Sequence, residues 1–492
     1  MGMFMLYDDF LQLMEDDLRP IRHLIHESGL DYETYSNILD DYADKSKSIY
    51  SFKFDSTGNV VKKEFDQIKW DAIESRVQSF YAQLQRLTKL ISLPNLKIAH
   101  EFGDMTSDSN VPIFSYHKKN DYKGIVLLPD FELFMNNYYI DYTYNDSLAF
   151  KSKANKAIFV GSTTGTNARE TRGCENTIHN IETDPSVRID AAKYFNGNKD
   201  VIFRLPSIVQ CDSKETENYL RQFAFASPER IGWSQQFEHK FIISVDGNGP
   251  TLSRVAITLL SNSVLLKYNS SWIAYYHRAL RPYENYIPIA SHNEIESVLI
   301  NLENNIDFYE QISKKASKDF SLIFKRANVE RYFAAVLNEF YAIFFGKDET
   351  YVANRLKIEQ VGHFDIDAHI ANVGDVSFWP HQEVSDPQGN FIEGITIYPA
   401  SGLFDWRDIS YQVMFADGAI SEMVLGGHFA GSRNEARKIV GFRLIAKSEQ
   451  QFTLFYSGEF ADGTNQKASH GTWIQHDSSP LKRIRFEINV IV

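Results

Sequence analysis

The stretch Lys240-Phe-Ile-Ile-Ser-Val-Asp-Gly-Asn-Gly-Pro-Thr-Leu-Ser-Arg254 decides how the chain is read. Phe241, Ile242, Ile243 and Val245 form the short apolar run of a strand covered on both faces. Asp246-Gly-Asn-Gly-Pro250 ends it, because glycine accepts turn conformations and proline has no N–H for a ladder. Thr251 and Ser253 are capping types, and Val255, Ile257, Leu259 and Leu260 predict the apolar face of a helix. A strand, a glycine-rich turn and a helix start aim free N–H groups and a helix dipole at one point, which suits an anion. Arg254 in the first turn can add a bidentate contact to a phosphate. The same residues read equally well as an ordinary tight turn between strand and helix.

Bulk properties narrow the choices around that stretch. At 492 residues the chain has room for roughly three domains. A hydrophobic share of 43% and a charged share of 23% are those of a globular protein. The net charge of -13 argues against nucleic acid as the main partner, so an anionic ligand would need a local positive pocket. Two cysteines, Cys174 and Cys211, provide neither a disulfide framework nor a cysteine zinc site and predict a reducing compartment. Asp8 and Asp9 come too early for a secretory signal, and no window approaches the roughly 18 uncharged apolar residues of a membrane span. The expectation is a cytoplasmic protein, with peripheral attachment at the inner membrane as the variant.

Along the chain, residues 1 to about 90 read as mainly helical. Phe10, Leu11, Met14, Leu18, Ile21 and Ile25 follow a helical period that Pro20 interrupts, which predicts a kink or two helices as readily as one. Phe52, Phe54, Val60 and Val61 predict a hairpin, and Ile73, Val77, Phe80, Leu84, Leu87 and Ile91 a helix. Strands are expected at 96–102, 112–116, 124–128, 156–160, 201–205 and 263–267, with a strand end at Ile189. Trp272–Tyr276 reads as a short helix, and 293–345 as two or three helices. This alternation predicts an α/β architecture in two units. Beyond about residues 346–360 period-two alternation takes over, as in Ile409, Tyr411, Val413 and Phe415, and predicts an all-β sandwich.

The chemistry concentrates after strands. Gly161-Ser-Thr-Thr-Gly165 places two glycines and three hydroxyls past a strand, with Arg169 and Arg172 available to neutralise an anion. It lacks the Gly-Lys-Ser/Thr ending of a P-loop and the Rossmann spacing. Asp104 follows the 96–102 strand, where working carboxylates and ordinary helix caps both occur; Asp108 is its nearby rival. A base in the first unit facing a phosphate-bearing donor held by the second is a workable arrangement for group transfer. The histidines show no ligand spacing, and Asp365-Ile-Asp367, the one metal-like carboxylate pair, falls in the expected linker; no obligatory metal is expected. Trp379, Trp406 and Trp473 are candidates to stack on sugar rings, though such residues are more often core.

Four blocks resemble glycosyltransferase family 90: Pro112-Ile-Phe-Ser-Tyr-His-Lys118 with Gly124–Pro129, Phe159-Val-Gly-Ser-Thr-Thr-Gly165 with Arg169, Lys240–Gly249 with Ser253-Arg254, and Trp272 through Pro288. The resemblance covers about residues 95–320 and implies a two-lobed GT-B arrangement and inverting transfer from a UDP-sugar, xylose or glucose, with no cofactor required. The acceptor it implies is a hydroxyl of a surface polysaccharide or lipid-linked glycan. It implies Asp104 as base and donor contacts from Gly161, Ser162, Thr163, Thr164, Gly165, Arg169, Asp246, Gly247, Ser253 and Arg254. Two positions depart from the family pattern: Val160 stands where arginine is usual, and Asn285 where histidine is usual. The expected division is an acceptor lobe (1–150), a donor lobe with closing helices (151–350) and an accessory sandwich (351–492) that could join copies of the chain. The alternative is a carbohydrate-binding scaffold with a degenerate transferase lobe.

Overall fold

The structure is a computed structural model; it describes all residues except 1–3, 63–69, 105, 144–145, 166–174, 381, 448–451 and 491–492. Two five-stranded sheets dominate the first 290 residues. The first has the order Val60–Lys62, Ile49–Phe54, Lys97–Glu101, Ile113–Ser115, Ile125–Leu127, antiparallel at the Val60–Lys62 side and parallel at the other. The second has the order Ile287–Ile289, Val264–Tyr268, His239–Ser244, Ala154–Ser162, Val201–Ser207, and every pair is parallel. Phe241 to Val245 are wholly buried, as a parallel strand covered on both faces must be.

The course of the chain through the second sheet decides where a ligand can sit. From Ala154–Ser162 it steps outward to Val201–Ser207, then returns to the other side at His239–Ser244 and continues from there. The order therefore reverses between Ala154–Ser162 and His239–Ser244. The loops leaving those two strands diverge and open a crevice at their carboxyl ends. Both loops are the polar segments singled out above.

Local chemistry explains most element ends. Tyr7–Ser28 is one helix despite Pro20; Phe10, Met14, Leu18 and Ile21 bury its stripe and hold it across the proline. Ile189 is not a strand end. It lies in the helix Val187–Tyr194, capped by Ser186 and packed through Ile189, Ala191 and Ala192. Trp272–Tyr276 is not a helix either: Trp272 and Ile273 pair antiparallel with Lys119 and Lys118, and a 3₁₀ turn follows at Tyr275–Ala279. That pairing joins residues about 150 positions apart, which local propensity does not report. The helix Arg326–Phe345 is buried nearly all round and returns to the first sheet, where the Phe340 ring lies 4.9 Å from Phe114 and 6.0 Å from Tyr35. Among the described residues no helix is long and apolar enough to cross a membrane.

From Phe364 onward three four-stranded antiparallel sheets share one separate core, including Ile395, Tyr411, Phe442 and Tyr456. The alternation at Ile409–Phe415 is carried out residue by residue, odd positions in and even positions half out. Asp365 and Asp367 do not lie in a linker; they stand on the strand Phe364–Ile370 and meet two arginines. Arg326 reaches Asp365 at 3.1 Å and Asp367 at 2.6 Å, and Arg86 reaches Asp367 at 3.0 Å and Glu330 at 2.6 Å. Burial pushes Asp365 well above the usual carboxylate range and Glu330 up to about 7, against the pull of Arg326. Three carboxyls and two guanidiniums thus bind the β region to the helices that precede it. Arg326→Met strips the carboxyls of their main partner and is expected to destabilise the protein by about 3–5 kcal/mol in urea unfolding. A loss below about 1 kcal/mol would show that the cluster does not hold the junction.

Candidate functional site

The crevice of the second sheet faces the first sheet across a cavity of about 410 Å³. One wall comes from Gly161, Ser162, Thr164, Arg188 and the segment Gly247–Arg254; the opposite wall includes Arg76, Asp104, His117 and Glu132. The two walls nearly touch at Gly249. A Cβ built there would lie 2.7 Å from the Asp104 carbonyl oxygen and 3.3 Å from His117 Nε2, so only glycine lets the sheets approach this closely.

The floor of the cavity is cationic. Arg188 comes from the helix Val187–Tyr194, which local patterning did not single out as functional. Its guanidinium donates to the Val245 carbonyl at 3.0 Å, to Ser162 Oγ at 3.2 Å and to Thr164 Oγ1 at 2.8 Å. Arg254 donates to Gln236 Oε1 at 3.0 Å and to the Val160 carbonyl. Both guanidiniums lie over the Phe159 ring, at 5.4 and 4.8 Å, and Arg254 also lies 5.3 Å from Trp233. Among the described residues neither forms a salt bridge. Burial pushes Arg188 down to about 10, with Asp246 opposing, and burial and then the charge of Arg188 push Arg254 down to about 9. Two like charges held together, one buried and one half-buried, are stabilised by an anion between or above them. The helix Leu252–Leu260 starts beside them, and Thr251 supplies no side-chain cap to its free N–H groups. Gly247 keeps the approach open, since a Cβ there would lie 2.8 Å from Thr164 Oγ1 and 3.0 Å from an Arg188 nitrogen.

The facing wall carries the carboxylates. Asp104 is half exposed and its Oδ1 accepts from Arg76 at 2.7 Å, while Arg76 also donates to the Phe102 carbonyl at 2.9 Å and lies over Phe131. His117 is buried beside it. Burial pushes its imidazole down to about 4, against the smaller upward pull of the Asp104 charge, so it stands neutral at pH 7. Thr106 Oγ1 links Ser115 Oγ at 2.9 Å and His117 Nε2 at 3.4 Å.

Among the described residues, those proposed from the sequence fall as follows. Asp104, Gly161, Ser162, Thr164, Gly247, Ser253 and Arg254 line the cavity. Thr163 is fully buried and turns away, exchanging hydrogen bonds with Val209 at 2.8 Å. Gly165 lies against Ser186, off the cavity wall. Asp246 lines a neighbouring cavity, reached past Gly247, and accepts from the Thr251 amide at 3.4 Å. Arg169 and Arg172 lie outside the described residues. Asp108 is taken up by the backbone amides of Ser109, Lys123 and Gly124, each at 2.9 Å, and is off the wall. Lys118 and Lys240 serve the frame: Lys118 pairs with buried Asp17 at 2.7 Å, and Lys240 donates to the carbonyls of Lys151 and Lys153. Trp379 and Trp406 are core residues, 4% and 8% exposed, and Trp473 is half-buried under Arg443. Arg188, His117, Trp233 and Glu132 are wall residues that sequence reading passed over.

The low basicity of His117 has a consequence for stability. An unfolded chain binds a proton at this side chain below about pH 6.5, and the folded one does not until about pH 4. The stabilisation is therefore present above pH 6.5 and is lost as pH falls through that window, by about 2 kcal/mol at pH 5. Urea titrations of the wild type and His117→Asn at pH 7 and pH 5 measure it. The variant is expected to lose less stability on acidification, and parallel losses would overturn the assignment.

The sequence model for glycosyl transferase family 90 matches residues 71–360, well over half of the chain, and both walls of the cavity fall inside the match. The antiparallel sheets from Phe364 onward lie outside it.

Proposed function

The chain belongs to glycosyl transferase family 90 and is a glycosyltransferase, and from that premise we propose that it moves a neutral sugar, glucose or xylose, from a UDP-sugar to a glycan hydroxyl with inversion. The observation that carries this reading is the pair of guanidiniums, Arg188 and Arg254, unpaired by any described carboxylate and gathered at a helix start where the strand order reverses. A diphosphate brings two or more negative charges and many acceptor oxygens, which is what this floor lacks.

The reaction then follows from what faces what. The diphosphate rests on the Gly161–Thr164 loop, the Leu252–Leu260 helix start and the two arginines. Its sugar projects toward the facing wall. Asp104, oriented by Arg76, takes the proton from an acceptor hydroxyl, whose oxygen attacks the anomeric carbon as the bond to the diphosphate breaks. The charge left on UDP meets cations already in position, so little reorganisation is required. This supply of fixed positive charge supports transfer without an obligatory metal. Two α/β sheets facing across the cavity support the GT-B reading, and a polysaccharide or lipid-linked acceptor is the class that the family resemblance favours.

Release of UDP from UDP-glucose and UDP-xylose over a panel of glycan acceptors tests the reading. Asp104→Asn is expected to lower kcat by roughly 10²–10⁴ while leaving UDP affinity within about twofold. Unchanged turnover would remove Asp104 from the mechanism. Separately, Arg188→Met is expected to weaken UDP binding by about 1.5–3 kcal/mol, roughly 10- to 150-fold, in calorimetry. A Kd within twofold of the wild type would show that the floor does not bind the diphosphate.

A further inference from the structure

The cavity has a polar asymmetry that the transfer chemistry leaves unused. Its floor carries cations, and its facing wall carries two carboxylates, of which Asp104 is held by Arg76 at 2.7 Å. The other, Glu132, has no such partner: its Oε2 is buried, accepts no hydrogen bond, and the side chain joins no ion pair among the described residues. We propose that Glu132 is the specificity-determining residue for the transferred sugar, accepting from a hydroxyl of a neutral sugar and turning away sugars that carry a carboxylate of their own. This rests on the reading above, that a nucleotide sugar occupies the cavity.

Neighbouring groups do not relieve Glu132. It lies in the first turn of the helix Phe131–Met135, whose cap, Asp130, accepts from the Leu133 amide at 3.1 Å. Asp130 is buried, and burial and then the charge of Glu132 push it up to about 7; its Oδ2, like Glu132 Oε2, has no hydrogen-bond partner among the described residues, so the two carboxyls do not relieve each other. The Asn136 amide donates at 2.8 Å to the Glu132 backbone carbonyl, not to its carboxylate. Tyr139 OH is directed to Asp130, at 3.4 Å. Glu132 is half-buried, and a carboxylate only accepts hydrogen bonds, so an oxygen of it held from water without a donor is costly to keep. It is retained at lower cost if a ligand brings the donor.

The possible donors are few. A phosphate is excluded by like charge and has the opposite wall to bind. A sugar delivered from that wall brings hydroxyls, each a donor that a carboxylate can fix in direction. A sugar with a carboxylate at C6 would place one anion against another, which penalises it. Glu132 would therefore choose among donors that share the same diphosphate, a task the floor cannot perform.

Full-length Glu132→Gln and Glu132→Ala test this against UDP, UDP-glucose, UDP-xylose and UDP-glucuronic acid. Both variants are expected to bind UDP within about twofold of the wild type. Glu132→Ala is expected to lose roughly 10- to 100-fold in kcat/KM for the neutral donor, with Glu132→Gln between it and the wild type. The use of UDP-glucuronic acid relative to the neutral donor is expected to rise at least about tenfold in both. The near-isosteric Glu132→Gln carries the test if the alanine variant fails to fold, and retained UDP affinity reports that the floor is intact. Donor preference and kcat/KM within twofold of the wild type, with UDP still bound, would overturn the role of Glu132 alone. A wild-type protein that binds no UDP and turns over no donor would overturn the reading beneath it as well.

Discussion

Two guanidiniums sharing one phenylalanine ring set the terms for the rest of this molecule. Arg188 and Arg254 are each costly where they lie: the first is buried, the second half-buried, and they repel each other. The fold holds them there with neutral acceptors, the carbonyls of Val160 and Val245, the Gln236 side chain and the hydroxyls of Ser162 and Thr164. Carbonyls and hydroxyls fix direction without cancelling charge, so the field remains available to a ligand. A carboxylate in any of those places would have made a stable ion pair and a weaker anion site.

The charged floor and the wall that carries Asp104 are held in register by several short ties. Buried Asp17, on the opening helix, pairs with Lys118 at 2.7 Å and with Arg278 at 2.9 Å, so one carboxylate joins a residue of each half. The Lys118–Lys119 and Trp272–Ile273 pair runs beside it. Gly249 then brings the turn after His239–Ser244 against the Asp104 carbonyl. These contacts are specific in geometry, and one continuous apolar core, with Ile98 and Val126 of the first sheet and Ile158 and Ile242 of the second, holds the walls in place.

How far the sequence foretold this depends on the range of the interaction. The Lys240–Arg254 stretch was legible because strand, turn and helix start are local, and its period changes where the structure does. Asp104 was legible as a carboxylate past a strand, although the same pattern also fitted Asp108, which serves as a turn anchor. Arg188 was not legible. It sits in an eight-residue helix of mixed pattern, and its role arises only when that helix is laid across the ends of Ala154–Ser162 and His239–Ser244. Nor were Lys118 and Lys240 legible as parts of the frame: both are buried, and their partners, Asp17 for the first and the Lys151 and Lys153 carbonyls for the second, are distant in sequence. The Asp365-x-Asp367 pair had the look of a metal site because its partners, Arg86 and Arg326, are distant in sequence.

The same reasoning bears on Val160, which stands where the resemblance leads one to expect arginine. A cation one residue before Gly161 would project from the strand itself. Here the backbone carbonyl of Val160 accepts from Arg254, and Arg188 reaches under the same loop from a helix, its guanidinium within 3.7 Å of where a Gly161 Cβ would be. The loss of an arginine from the strand therefore does not empty the floor of charge. What the ligand meets is the position of the guanidinium, not the element that carries it, so a departure from a motif at one residue is weak evidence of lost function until the neighbouring helices are in place.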